Sequence, residues 1–287
     1  MRLYQKAFFA LFPFAVAPVQ GQNLYVFSVI ETTDSRRPDR RLDAHSFHKL
    51  TDDIARYGNY TQHRYEFSDS AVFTPQMLRQ TLSKFKPQSA ENDMVWLHYA
   101  GRGYSDGPKA WPTLQLNGGD IPLRELLALL RAKPVRTLLV TVDCGNRPRQ
   151  KIALLTDSSS ANKPAARSTE VGALTAQVTR LAQTDIPDMA IVDAYKRLFK
   201  AEKVQQIIVM ASAGLNERAY SDPQQGSVWL TAFTNTIAEA VREQATVTTW
   251  KQIQDTVVRL TQKRTRNRQT PLFNRQTITC CETEVSY

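Results

Sequence analysis

Four stretches of this chain are nearly continuous runs of aliphatic, aromatic and β-branched residues: NLYVFSVI at 23–30, DMVWLHYA at 93–100, VRTLLVTV at 135–142 and VQQIIVMA at 204–211. Runs this apolar without alternation are how strands covered on both faces read. A fifth stretch, 61–67, alternates weakly, as a half-buried strand does. Between the runs, apolar residues recur at helical spacing. Phe47, Leu50, Ile54 and Tyr57 predict a helix over 42–57, stopped by Gly58 and Asn59. Thr74 and Pro75 read as the cap and first position of a helix reaching Phe85. Further helices are predicted over 121–131, 189–200, 228–242 and 246–263. Strands separated by helices predict right-handed crossovers, hence an α/β fold with a mostly parallel central sheet flanked by helices. Ligands of such sheets sit beyond the carboxyl ends of the strands. Four loops occupy that edge here, 31–43, 101–111, 143–149 and 212–225.

Composition narrows the class further. The 287 residues are 42% hydrophobic and 22% charged, which supports a packed core. With 11 glycines, 14 prolines and no period, collagen-like, coiled-coil and disordered classes are excluded. Residues 1–22 carry Arg2 and Lys6 and then an apolar run too short to span a bilayer, the pattern of a removable secretory signal peptide. The mature chain is therefore expected to be secreted or periplasmic, with no transmembrane segment. Loss of Arg2 and Lys6 takes the net charge from +10 to +8, spread thinly and read first as solubility. Three cysteines cannot build a disulfide framework. The small, polar and basic stretch 151–187 reads as a mobile excursion between two halves of one sheet.

The chemistry-bearing residues fall at strand ends. They are LHYAGRG at 97–103, LLVTVDCGN at 138–146 and IIVMASAGLNE at 207–217, followed by GSVWLTAF at 226–233 and QTP at 269–271. In order, spacing and strand context these segments resemble the caspase and metacaspase clan of cysteine peptidases over about residues 23–274. The resemblance implies a three-layer caspase-like sandwich over 23–275. Residues 23–150 would be the large-subunit part, 151–187 a flexible linker, 188–275 the small-subunit part and 276–287 a C-terminal tail. It also implies a dyad, and both members fall on unsuitable residues. The histidine position is Arg102 and the nucleophile position is Gly145. A cysteine peptidase needs a thiolate and an imidazole to move the proton. Glycine has no side chain, and arginine stays protonated far above neutral pH. Cys144, one residue early, faces away from the cleft if the strand stays extended; it is the fallback nucleophile. His98 reads as packed against the sheet, and His45, His48 and His63 sit in no motif.

By the same resemblance, Asp143 and Asp34 match acids that receive a basic substrate side chain. Two carboxylates there suit a guanidinium; that of Arg102, closing the pocket from within, is the internal alternative. Asn146, Ser212 and residues 216–222 would border the groove. The basic clusters at 36–41 and 263–268 read as solvated faces without the interleaved aromatics of a nucleic-acid site. Vicinal Cys280 and Cys281 lack zinc-ligand spacing, and no metal or cofactor is expected. The expectation is an exported caspase-fold pseudo-peptidase that binds a peptide or protein partner and no nucleic acid. The alternative is an active caspase-like endopeptidase using Cys144; a basic scaffold for polyanions is a third reading.

Overall fold

The computed structural model describes residues 22–32, 37–68, 72–107, 111–149, 177–179, 189–199, 205–243 and 249–278. In chain order the first half contains β1 (Gln22–Ile30), α1 (Asp39–Gly58), β2 (Tyr60–Glu66), α2 (Pro75–Lys84) and β3 (Met94–Ala100). Next come β4 (Arg102–Tyr104), β5 (Thr113–Leu116), β6 (Gly119–Pro122), α3 (Leu123–Arg131) and β7 (Thr137–Asp143). The second half contains β8 (Gln177–Thr179), α4 (Met189–Phe199), β9 (Gln205–Ala211), β10 (Ser221–Asp222) and β11 (Gly226–Ser227). It closes with α5 (Val228–Arg242), α6 (Trp250–Thr265) and β12 (Leu272–Ile278).

The central sheet has the order β12-β9-β7-β3-β1-β2-β8. Its five inner strands are parallel, and β12 and β8 run antiparallel at the two edges. Every residue of β3 and β7 is buried, which is why those segments carry no polar alternation. Side chains instead alternate between two cores. Leu24, Val26, Trp96, Leu139, Ile208 and Met210 meet α1, α4, α5 and α6 on one face. Tyr25, Phe27, Leu97, Tyr99, Val140, Val142 and Val209 meet α2 and α3 on the other. The result is an α/β sandwich of three layers.

Local signals place the helices. Thr74 accepts a hydrogen bond from the Met77 amide with Pro75 at the first position of α2. Asn59, in the left-handed region at φ 60°, closes α1. Thr249 and Gln252 form a capping box at the start of α6. The helix expected from 121 begins at Leu123, because Ile121 and Pro122 pair with β5 in a small antiparallel sheet, β4-β5-β6. Two expected boundaries also shift. β8 lies inside the stretch read as a linker, and β12 runs through the boundary drawn at residue 275. Both are edge strands whose pairing partners are distant in sequence, so local pattern does not mark them. The expected signal peptide up to residue 21, Cys280 and Cys281 lie outside the described residues.

The turn from β3 into β4 demands glycine for steric reasons. A Cβ on Gly101 would collide with the Tyr99 hydroxyl, which lies 2.6 Å from the Arg102 carbonyl and 2.7 Å from that of Gln115. A Cβ on Gly103 would collide with Cys144 Sγ and stand 2.9 Å from the Gly145 carbonyl. Gly103→Ala is therefore expected to cost about 1–3 kcal/mol, measured by urea unfolding. Adding Cys144→Ala should return part of that loss; an unchanged urea midpoint for Gly103→Ala would show that the two segments are not packed this closely.

Candidate functional site

Strands β3 and β7 end side by side, with Ala100 opposite Asp143. The chain beyond β3 turns at Gly101 into β4, and the chain beyond β7 runs past it, with the Ser105 amide donating to the Arg147 carbonyl at 2.7 Å. The loop beyond β9 closes the third side: the Asn146 amide donates to the Glu217 carbonyl and the Asn216 amide to the Asn146 carbonyl, each at 2.9 Å. Between them lies a groove of about 620 Å³, lined by residues from Arg102 to Tyr104, Gln115, Gly145, Arg147 to Arg149 and Asn216 to Arg218. Three of the four loops along that edge line this groove, and so do the two positions expected for the dyad, Arg102 and Gly145.

Other expected residues lie elsewhere. Ser212 is fully buried beneath the groove, its hydroxyl donating to the Cys144 carbonyl at 3.3 Å. Asn146 is fully buried as well, and neither residue lines the groove. Asp34 lies outside the described residues. Cys144 is 1% exposed and packs with Val142 and Tyr99 on the α2–α3 face, and burial pushes its thiol pKa far up. His98 points to the opposite face, its ring 4.4 Å from that of Phe47 and its Nδ1 2.9 Å from Thr141 Oγ1. Burial, with Arg40 and His48 adding to it, lowers the His98 pKa to about 3, so the ring is neutral at physiological pH. The sheet itself therefore separates this imidazole from the thiol. His48 reaches Ser28 at 3.1 Å, and His63 stacks on Tyr25.

Asp143 points to the α1 face and meets a guanidinium, that of Arg40 in α1. Arg40 Nη1 is 3.2 Å from Asp43 Oδ2 and 3.5 Å from Asp143 Oδ2, and Nη2 donates to the Gly101 carbonyl at 3.1 Å. Arg40 is 5% exposed and each aspartate 1%. This corrects two expectations. The 36–41 cluster is not simply a solvated face, since Arg40 is interior and Arg37 pairs with Asp39 at 2.8 Å. The cation beside Asp143 comes from α1, not from the 101–103 turn. Asp43 also accepts from the Ser227 amide at 2.6 Å, tying α1 to the start of α5. Its carboxyl is pushed up to about 7 by burial first and by Asp143 next, against the opposing pull of Arg40.

The groove is strongly basic, which the sequence reading does not anticipate. Arg102, Arg147, Arg149 and Arg218 are all exposed along it. Its acidic lining residue, Glu217, turns its carboxylate inward to accept from the Gly214 and Thr270 amides. The signal was available in the GNRPR segment at 145–149, where two arginines follow the presumed nucleophile position. Arg40 carried a signal too, its spacing of three from Asp43 on one helix. Among the described residues no group of three or more His, Cys, Asp or Glu is placed to hold a metal ion. No described helix is long and apolar enough to cross a membrane.

Comparison with known proteins gives one sequence family and a structural likeness. The family model for the caspase domain matches residues 22–281. No curated protein matches the sequence. Among solved structures, the chain is similar to the crystal structure of caspase-1 from Spodoptera frugiperda, at 10% identity and a TM-score of 0.48, covering 88% of this chain and 86% of that one.

Proposed function

Because the chain belongs to the caspase domain family, we propose that it uses the family's fold to bind a peptide or protein partner rather than to cut one. The observation that carries this reading is the pairing in the groove of a permanent cation, Arg102, with a bare backbone position, Gly145. Acyl transfer through sulfur needs a thiolate within reach of a base. The thiol of Cys144 and the imidazole of His98 are both buried, on opposite faces of the sheet. The acid at Asp143 is engaged by Arg40, so a basic substrate side chain would have to displace an internal guanidinium to use it.

The test is an activity assay on the purified protein with Arg-, Lys- and Asp-directed peptides and with thiol-reactive peptide probes. No turnover and no labelling of Cys144 are expected. Turnover that disappears in Cys144→Ala would overturn the reading in favour of an active endopeptidase. The basic start and apolar run of residues 1–22 support export. N-terminal sequencing of the secreted or periplasmic protein should begin close to residue 22, and a chain retained in the cytoplasm with Met1 intact would count against export.

A further inference from the structure

We propose that a second cavity, at the amino end of α3, binds a free α-amino acid with a bulky apolar side chain, its carboxylate on Arg124 and its ammonium on Asp106. The cavity measures about 240 Å³, below the roughly 300 Å³ at which sites for drug-sized ligands begin, so it fits one small molecule. It shares no lining residue with the groove, and its occupancy is independent of what the groove binds. The small sheet and α3 build its walls. Trp111, Pro112, Pro122 and Leu123 line it. The two prolines carry no N–H and hold a fixed φ, so this stretch of wall is apolar and stiff. Thr113 pairs with Pro122 across β5 and β6, and the Leu123 amide donates to the Pro112 carbonyl at 3.1 Å; the cavity therefore stands ready before a ligand arrives. Trp111 is half-buried and packs on the α2–α3 core, and its remaining ring surface suits an aromatic or branched side chain.

Charge selects the occupant. Asp106 and Arg124 are both exposed, and both line this cavity. Among the described residues neither forms an ion pair, with the other or with a third group, whereas nearby Arg149 is matched by Asp120 and Arg79 by Glu125. The segment carrying Asp106 is held on both sides, by the Ser105 amide on the Arg147 carbonyl at 2.7 Å and by the Ser105 hydroxyl on the Gly107 carbonyl at 2.6 Å. On the side of Arg124, Pro122 caps α3 without a side-chain hydrogen bond, and the partial positive charge of that helix end favours a carboxylate. An apolar slot flanked by one cation and one anion matches a zwitterion with an apolar body. The guanidinium gives the ligand's carboxylate paired, charge-assisted hydrogen bonds, the Asp106 carboxylate accepts from its ammonium, and Trp111 and the prolines cover its side chain.

The experiment is a calorimetric titration of the full chain with L-phenylalanine, read alongside its tryptophan fluorescence. Binding with a Kd of about 1 mM or tighter is expected. Of the four tryptophans, Trp96, Trp229 and Trp250 are buried, so the change in emission should come from Trp111 and vanish in Trp111→Leu. Arg124→Gln and Asp106→Asn, both at exposed positions where folding is unaffected, should each weaken binding at least ~10-fold. Lys263→Gln, an exposed charge on α6, should leave it within ~2-fold. N-acetyl-phenylalanine amide keeps the side chain and loses both charges, and glycine keeps both charges and loses the side chain; each should bind at least ~10-fold more weakly than phenylalanine. Absence of heat and of an emission change up to ~5 mM phenylalanine, equal binding of the neutral derivative, or indifference to both Arg124→Gln and Asp106→Asn would each overturn the proposal. So would an emission change that persists in Trp111→Leu, which would place the ligand elsewhere. A Phe-Gly dipeptide that binds as tightly as phenylalanine would overturn it in favour of a peptide's amino terminus.

Discussion

Arg40→Met is expected to lower the stability of the folded chain by about 3–5 kcal/mol, a fall of roughly 10 °C in the thermal midpoint for a domain of this size. The guanidinium stands between Asp43 and Asp143, both 1% exposed. Methionine fills similar space but leaves two carboxylates stranded in the interior without a counter-charge. The cost comes from that stranding rather than from any large net value of the ion pair, because burying all three charges was itself unfavourable. Hence Arg40→Met combined with Asp43→Asn and Asp143→Asn should recover most of the loss. An Arg40→Met protein that melts within ~2 °C of the parent would mean that the three groups are not coupled in the interior.

The pH dependence has a definite sign. The Asp43 carboxyl is raised from 3.8 to about 7 in the fold, so folding favours its protonated form. Its contribution to stability is present in full below about pH 4 and is lost as the pH rises through about 7. In Arg40→Met the cation that opposes this shift is gone, so the deficit should be larger at about pH 8 than at about pH 5.5. Asp43→Asn should flatten the thermal midpoint across that window, and an equally steep profile in Asp43→Asn would assign the dependence to another group.

Gly145→Cys is expected to fold and to present a thiol that is alkylated at least ~100-fold faster than Cys144 of the parent protein. A Cβ at 145 would find its nearest neighbours at 3.6 Å (Gly103 carbonyl), 3.7 Å (Glu217 carbonyl) and 3.8 Å (Ala219 amide), ordinary contact distances. The position lines the groove beside Arg102 and Arg147, and neighbouring cations favour the thiolate. Cys144 differs on both counts: it is 1% exposed and its pKa is raised by burial. Timed iodoacetamide labelling followed by mass spectrometry separates the two thiols. If the residue-145 thiol labels no faster than Cys144, the groove does not hold an open seat at that position. A single residue therefore separates this groove from one bearing an accessible thiol, and Arg102→His in the same background would add an imidazole to it.

Much of the architecture was legible from the chain alone. The unalternating runs at 23–30, 93–100, 135–142 and 204–211 became the buried strands β1, β3, β7 and β9, because a strand covered by helices on both faces has no polar side to record. Caps and stops such as Thr74, Pro75 and Asn59 act within a few residues of themselves, so they too were readable. The carboxyl edge followed from strand direction, and with it the loops that carry Arg102, Gly145 and residues 216–218.

Other features depended on the sheet. β4, β5 and β6 are short strands in a turn-rich segment, and β12 pairs with β9 across two intervening helices; their partners are set by register, not by neighbouring residues. Arg40 and Asp143 are 103 residues apart; the spacing of Arg40 from Asp43 hints at a pair on one helix, but nothing local says that this pair turns inward onto a second carboxylate. That choice was made when α1 packed over the end of β7 and placed one guanidinium between two carboxylates. The sign of the groove arose the same way. Arginines from three separate loops share one surface while Glu217 spends its charge on backbone amides, because side-chain orientation across distant segments is decided only by tertiary packing.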